Sequence, residues 1–520
     1  MLVAPSADGN GIDPSRPQAA TVVGRDLVLW RDGGGAWRAF ADSCPHRAAP
    51  LSEGRVEGHE LYCSYHGWRF DGEGDCTALP SLDRLDAADA DADAAAARAA
   101  AVRATPGCRA TSYPCIHRHG LVWVFLVPGA DGALAAAAVG PPRSLPREGR
   151  PDFAALDADG LQGDGDAVPW SAVAGLYARD LPYSWDTLAE NLTDPDHVPF
   201  AHHTLQGSRS KFLAPVGRGL GDVASDGSAA TLKSPPRPGQ KGFNLDVRWE
   251  APNRIVYSAP RGDGWAGLVL LLTPTRPGWS RVFFRVVSSR PLPTIARLLL
   301  ALRVAHPVLG SVAADHITRN AVMASDNMIL NAQEAQALRE AGVETAVGRD
   351  EVEAARRLYL GSWRGRYHTP TPSDSLVRCF RAWYQASGGL PVDRFPLSAT
   401  LAALDASGLR SGRTGDDAAF GHHHLCRACA KATKRMMAAE AVFYRVAIAC
   451  AGAALACAFA AGGGAAPSVW LDAVLAAPRG ALGRLVSLAV VACLASLGAA
   501  WCRRARLRLT SESWIHSERY

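Results

Sequence analysis

Cys44-Pro-His46 and Cys63-Ser-Tyr-His66 form two mixed cysteine–histidine pairs with sixteen residues between them. Each pair fits on one tight loop. Two such loops facing each other can clamp a [2Fe–2S] unit, with two thiolates on one iron and two imidazoles on the other. That ligand set raises the potential well above that of an all-cysteine cluster, so the chain is expected to handle single electrons. Arg47, Gly67 and Trp68 complete the loops. Gly67 allows a sharp turn, and backbone N–H groups and Tyr65 are placed to donate hydrogen bonds that tune the cluster sulfurs. A tetrahedral zinc site uses the same ligand types, but such sites favour a Cys-x-x-Cys half and a His-x-His half over two mixed halves.

Around these motifs the sequence reads as short strands with turns. Val22 to Trp30 alternates around Gly24, Trp37 to Phe40 follows a Gly-Gly-Gly turn, and Leu121 to Val127 is a β-branched and aromatic run, which together predict a small β domain. An Ala- and Asp-rich stretch from Asp83 to Ala104 interrupts it as a solvated loop or short helix. Gly129 to Pro169 is rich in Gly, Pro, Ala and Asp, as linkers are. Strands are then expected at Phe243 to Ala251, Arg254 to Ser258, Trp265 to Leu272 and Ser280 to Ser288, with Ile295 to Leu338 largely helical. This mixture predicts an α+β domain on an antiparallel sheet. The expected divisions are 1–140, 141–400, a linker over 401–437 and a membrane anchor with tail over 438–520.

A second metal site is expected in Glu-Asn-Leu-Thr-Asp194-Pro-Asp-His197-Val-Pro-Phe-Ala-His202. Two histidines and one carboxylate make a facial triad for iron(II) that leaves the opposite face open for oxygen and substrate. Positions five apart on an ideal helix point about 140° away from each other. The backbone must therefore distort, and Pro199, which lacks a donor, can supply that. The third ligand has to come from elsewhere: Asp326 is the best candidate and Asp315 the runner-up. Asp194 is read either as a hydrogen-bonded link between this iron and a cluster histidine, or as a helix N-cap. His203 reads as a bystander and Asp196 as a solvated acid in the first turn.

Neither Val446 to Leu471 nor Leu485 to Cys502 contains a charged residue. Both are long enough to span a bilayer, at roughly 17 to 25 residues per helix. Lys431, Lys434 and Arg435 precede the pair, Arg503, Arg504, Arg506 and Arg508 follow it, and Arg479 and Arg484 are the basic residues between. The excess of positive charge predicts a hairpin whose outer ends share one compartment. The net charge of +5 is not gathered into a stripe, so nucleic acid is not an expected partner. Of twelve cysteines, two belong to the cluster loops and four to the apolar segments, which argues against a disulfide scaffold. The start carries neither an apolar signal core nor an Arg- and Ser-rich amphipathic stretch, so no leader is expected within it. Cys426-x-x-Cys429 reads as a redox-regulated thiol pair, as a metal clip with His422, His423 or His424, or as a pair without a role.

These residues resemble the Rieske non-haem iron oxygenases, and among them the chloroplast pheophorbide a oxygenase group. The similarity rests on Gly-Arg-Asp-Leu-Val-Leu-Trp, on Cys-Pro-His-Arg-Ala-Ala-Pro-Leu-Ser-Glu-Gly-Arg, on Cys-Ser-Tyr-His-Gly-Trp-Arg-Phe, on the Asp194 to His202 segment, on Tyr-His-Thr-Pro-Thr-Pro-Ser-Asp and on Cys426-Arg-Ala-Cys429. The late cysteine pair combined with a membrane hairpin marks the subgroup. The resemblance implies Cys44, His46, Cys63 and His66 as cluster ligands, His197, His202 and Asp326 as ligands of a mononuclear Fe(II), and Asp194 as the electron bridge. It also implies a helix-grip-type antiparallel sheet, a homotrimer in which one subunit's cluster feeds its neighbour's iron, and a ferredoxin-type donor. Monooxygenation with O2 of a chlorophyll-derived tetrapyrrole in a chloroplast membrane, inner envelope or thylakoid, is the implied activity. Hydroxylation of another chlorophyll intermediate, or redox sensing in a chloroplast protein-import complex, are the alternatives it allows. Two features of the family, an opening Trp-x-Pro and a transit peptide, are not found, and a truncated gene model would explain both.

Overall fold

The computed structural model describes residues 2–5, 13–86, 92–118, 121–139, 171–172, 176–206, 208–209, 219–233, 246–261, 264–288, 311–343, 367–388, 397–406, 422–423, 425–462 and 479–510. The first part is built of short strands: β1 (Leu2–Pro5), β2 (Gln18–Val22), β3 (Arg25–Arg31), β4 (Trp37–Ala41), β5 (Arg55–Glu57), β6 (Glu60–Tyr62), β7 (Arg69–Phe70), β8 (Cys76–Ala78), β9 (Ser112–Tyr113), β10 (Cys115–Arg118) and β11 (Leu121–Val124). They form three antiparallel sheets in the orders β2-β3-β4-β9, β5-β6-β7-β8 and β1-β11-β10.

The run from Val22 to Trp30 is the end of one strand, a turn and the next strand. Val23 and Gly24 sit at φ 50° and 65°, the left-handed pair that a two-residue hairpin turn needs. The Ala- and Asp-rich insert folds as two helices, α1 (Pro80–Asp86) and α2 (Ala92–Arg103). Ala95 and Ala99 are buried, and Arg103 pairs with Asp83 at 2.6 Å, so the insert is packed rather than a solvated loop. Helix α3 (Gly129–Val139) occupies the start of the expected linker. Its alanine content favours helix more than its Gly and Asp favour coil. The remainder of that linker lies outside the described residues.

The larger unit is an antiparallel sheet of β12 (Ser171–Ala172), β13 (Tyr177–Leu181), β14 (Gly219–Val223), β15 (Ala229–Lys233), β16 (Asp246–Glu250), β17 (Arg254–Arg261), β18 (Gly264–Pro274) and β19 (Ser280–Ser288). Its order is β19-β18-β17-β16-β15-β14, with β12 and β13 both pairing the free side of β19. Helices α4 (Trp185–Thr193), α5 (Val198–Ala201), α6 (Ser311–Glu340), α7 (Ser375–Ala386) and α8 (Leu397–Ala406) accompany it. Ile295 to Gly310, expected to be helical, lies outside the described residues.

Period-two alternation gives each strand two faces, and both are buried here. Val247, Trp249, Ile255, Leu270 and Leu272 pack with Leu188 and Leu192 of α4, Val322, Met323 and Leu330 of α6, and Phe380 of α7. On the other face Val256, Val269, Leu271, Phe283 and Val287 pack with Leu121 of β11 and with Leu425. The small β domain therefore covers one side of the sheet and the helices cover the other. The Val23 and Gly24 amides donate to the Pro274 and Thr275 carbonyls at 2.9 and 2.7 Å, which hooks the β2–β3 turn onto the end of β18.

Two long helices close the chain, α9 (Arg427–Gly462) and α10 (Arg479–Thr510). Both are long and apolar enough to cross a membrane. Small residues line their contact: Ala447, Ala458, Ala495 and Ala499 are buried, and a Cβ at Gly498 would sit 3.1 Å from Phe443. Ile448, Leu455, Phe459, Val486, Leu494 and Leu497 are exposed. At the base of the pair Cys426, Cys429, Ala432, Met436, Cys502, Ala505 and Leu509 pack on Ala313 of α6.

Candidate metal centres

The two cysteine–histidine loops share one backbone pattern. In the first, the Cys44 amide donates to the Ala49 carbonyl and the Ala48 amide to the Cys44 carbonyl, both at 2.8 Å. In the second, Cys63 donates to Trp68 at 2.9 Å and Gly67 to Cys63 at 3.0 Å. The fourth residue after each cysteine takes the left-handed backbone, Ala48 at φ 56° and Gly67 at φ 73°. Ala48 holds an L residue where glycine is the usual occupant.

Both thiols are buried, and the His46 and His66 rings stand edge to face with centroids 4.4 Å apart. Trp68 stacks on His46 at 4.6 Å. Tyr65 lies against His66 at 3.9 Å and is 61% exposed. Burial, with Cys63 beside it, pushes the Cys44 thiol up to about 12. Two thiols held this way ionise when a cation is present to take the charge. His46 Nδ1 is buried without a hydrogen-bond partner. Two buried thiols and two adjacent imidazoles, one with a buried nitrogen left without a partner, are the donor types that a mixed-ligand [2Fe–2S] cluster needs.

The second constellation lies between α4, α5 and α6. A single tight turn over Pro195–His197 precedes α5, which stops at Ala201, so His202 sits off the helix at φ −102°, ψ 28°. This break offsets the divergence of positions five apart. His197 Nε2 and His202 Nε2 approach to 3.2 Å, and Asp326 Oδ2 lies 4.0 and 3.4 Å from them.

Both imidazoles are oriented by neutral oxygens. His197 Nδ1 donates to the Asp194 carbonyl at 2.5 Å. The Ser325 hydroxyl donates to the Val322 carbonyl at 2.7 Å, so toward His202 Nδ1, also at 2.7 Å, its oxygen accepts. Each Nε2 is thereby left with a lone pair facing the other ligands. Burial pushes the Asp326 carboxyl up to about 6, against the pull of His197 and a hydrogen bond from Asn191. Asn191 lies within the Glu190 to His202 segment but was given no role from the sequence, and Ser325 was given none either.

Asp194 has two parts. Its carboxylate accepts the Asp196 amide at 2.9 Å, the N-cap of the Pro195–His197 turn, while its carbonyl holds His197. Burial raises its carboxyl to about 6. Asp315 pairs with Arg319 at 2.6 Å, outside the His197, His202 and Asp326 group. His203 Nδ1 accepts from the Arg209 amide at 3.2 Å.

Residues 3–89 match the family model of the Rieske [2Fe-2S] domain, a span that contains both loops. The chain carries a Rieske domain. Over 401 residues the chain is 31% identical to the chloroplastic pheophorbide a oxygenase of Oryza sativa subsp. japonica, which covers 74% of this chain and 64% of that protein. It is 27% identical over 455 residues to the chloroplastic flavonoid 8-hydroxylase 2 of Ocimum basilicum, covering 84% of this chain and 74% of that protein. To the chloroplastic protochlorophyllide-dependent translocon component 52 of Arabidopsis thaliana it is 26% identical over 424 residues, covering 74% and 64%. The chain thus spans less than two thirds of the length of the rice and Arabidopsis relatives.

Beyond the Rieske domain, the late cysteine pair sits away from solvent. Cys426 and Cys429 are buried with His316 of α6 and His422. His423 instead lies 3.4 Å from Thr433 Oγ1. His316 carried no sequence signal, being one histidine in a long helix.

Proposed function

We propose that the chain is a Rieske-type monooxygenase that uses O2 and single electrons passed through the Rieske cluster to oxidise a flat, apolar, chlorophyll-derived tetrapyrrole. The observation that carries this is the convergence of His197, His202 and Asp326 with both imidazole tautomers set by neutral acceptors. His197, His202 and Asp326 would hold iron(II), which would supply the activation of O2. The chain's part is to keep that site oriented. The Asp194 carbonyl and Ser325 fix the ring planes, and Asn191 steadies the carboxylate. Tyr257, whose hydroxyl donates to the Leu192 carbonyl at 2.7 Å, ties β17 to the end of α4 beside these groups. In the balanced reaction one oxygen atom enters the product and the other leaves as water, with two electrons and two protons consumed.

Asp194 is the proposed link to the Rieske cluster of a neighbouring subunit in a homotrimer, and a ferredoxin-type protein the proposed donor. Similarity to a pheophorbide a oxygenase and to a protochlorophyllide-dependent protein supports a tetrapyrrole. The pair of apolar helices supports delivery from a bilayer, and similarity to chloroplastic proteins supports a chloroplast membrane. Similarity to a flavonoid hydroxylase supports the same shape class, a flat fused-ring molecule.

The test is an anaerobic electron-paramagnetic-resonance spectrum of dithionite-reduced, detergent-purified protein, with iron quantified on wild type and Asp326→Ala. A Rieske signal with three irons per chain, falling to two in the variant, supports the assignment and directs assays to chlorophyll derivatives with O2 and reduced ferredoxin. Two irons in wild type with the cluster signal intact would sink it.

A further inference from the structure

His316, His422, Cys426 and Cys429 are all buried, at 1%, 0%, 3% and 0% exposure, and their ligand atoms lie within 4.8 Å of one another. They come from three places: the second turn of α6, the segment before α9, and the junction where α9 begins. His316 Nδ1 is 3.0 Å from His422 Nε2, 3.5 Å from Cys426 Sγ and 3.4 Å from Cys429 Sγ, and His422 Nε2 is 3.3 Å from Cys429 Sγ. A tetrahedral zinc with Zn–S of about 2.3 Å and Zn–N of about 2.05 Å sets N···N edges of about 3.3 Å and N···S edges of about 3.6 Å. These four separations already match those edges to within a few tenths of an ångström.

The surroundings fit a metal as well. His422 Nδ1 donates to the Ala178 carbonyl of β13 at 2.5 Å, which leaves the Nε2 lone pair aimed into the cluster. Two thiolates and two neutral imidazoles around a divalent cation sum to zero charge, which suits a site closed to water. Cys-x-x-Cys on the first turn of a helix with two histidines from elsewhere is a structural zinc donor set, with no position left for a substrate.

We propose that His316, His422, Cys426 and Cys429 bind one structural zinc ion, which fastens the start of the first membrane helix to α6 and to the edge of the sheet. Binding releases the two thiol protons and changes no oxidation state. His316 and Asp326 are ten residues apart on α6, about 15 Å along the axis at 1.5 Å per residue. The zinc therefore fixes where the anchor packs against the helix that carries Asp326. The proposal does not depend on the oxygenase assignment, because it concerns a different set of residues and a different metal.

The experiment measures zinc and iron separately, by mass spectrometry of elements, on full-length detergent-purified wild type, His316→Gln and Cys426→Ser/Cys429→Ser. One zinc per chain is expected in wild type, falling by at least tenfold in both variants while the reduced Rieske signal persists. Where a variant does not fold, the wild type is stripped with a thiol-reactive mercurial and reloaded with cobalt(II), which should give the visible and thiolate charge-transfer bands of a tetrahedral S2N2 site. Zinc that persists in the double cysteine variant would overturn the proposal. So would a wild type that holds no zinc, takes up no cobalt and shows Cys426 and Cys429 as a disulfide by mass, which would make them a thiol switch.

Discussion

Ser325 does for His202 what the Asp194 carbonyl does for His197: it accepts the Nδ1 proton and frees Nε2. Substituting Ser325→Ala is expected to weaken iron binding by about 10- to 100-fold, read by competition with a ferrous chelator, with the reduced Rieske signal unchanged. Unaltered affinity would mean that packing alone orients the ring. Asp326 adds a pH dependence. Burial raises its carboxyl to about 6 from an ordinary value of 3.8. A folded value above the unfolded one means that this group's contribution to stability is present below about pH 4 and is lost as pH rises through 6. Iron at the proposed site would bind the ionised carboxylate and oppose that loss. The Tm difference between iron-loaded and iron-free protein should therefore widen from pH 5 to pH 7, and iron uptake should fall below about pH 6; a flat profile would contradict it. His197, His202 and Asp326, which the fold brings together, were legible because the proposed facial triad needs those residue types. Ser325, Asn191 and His316 were not, since serine, asparagine and a lone histidine in a helix have too many ordinary uses.

At the scale of elements, α4 and α7 are joined by a buried charge cluster. The Arg381 guanidinium donates to Glu190 and, at 2.8 Å, to Asp186. Both acids lie on the helix that leads into Asp194 and His197. Removing one partner of a buried ion pair leaves uncompensated charge, so Arg381→Leu should destabilise the protein by about 3–5 kcal/mol. Thermal unfolding in detergent would show it, and a change under 1 kcal/mol would mean that water reaches the pair. Element ends were the least legible feature. The sequence placed a strand over Arg254 to Ser258, whereas β17 runs to Arg261 because pairing with β18 continues as far as Arg261 opposite Gly264. The same partner-dependence made the Ala-rich insert hard to read: its helices become worth forming when Ala95 and Ala99 have a domain to pack on.

For the whole molecule, the organising fact is that the main sheet is covered on both faces, while among the described residues the apolar stretches of the terminal helix pair, beyond the base that packs on α6, keep exposed outer sides. Cys493 lies on an exposed surface of α10, midway along its apolar stretch. In sealed vesicles it should resist a membrane-impermeant maleimide and react after unfolding in detergent; rapid labelling in intact vesicles would rule out a span there. The sequence by itself determined the Rieske domain, the residue types proposed as ligands and the apolar segments, because residue type, spacing and lack of charge are local properties. Tertiary structure alone decided which serine orients His202, that Leu121 of the small domain covers the sheet, and that His316 meets Cys429 across more than a hundred residues. Each of those depends on the long-range packing that brings distant segments into contact, and no local pattern encodes it.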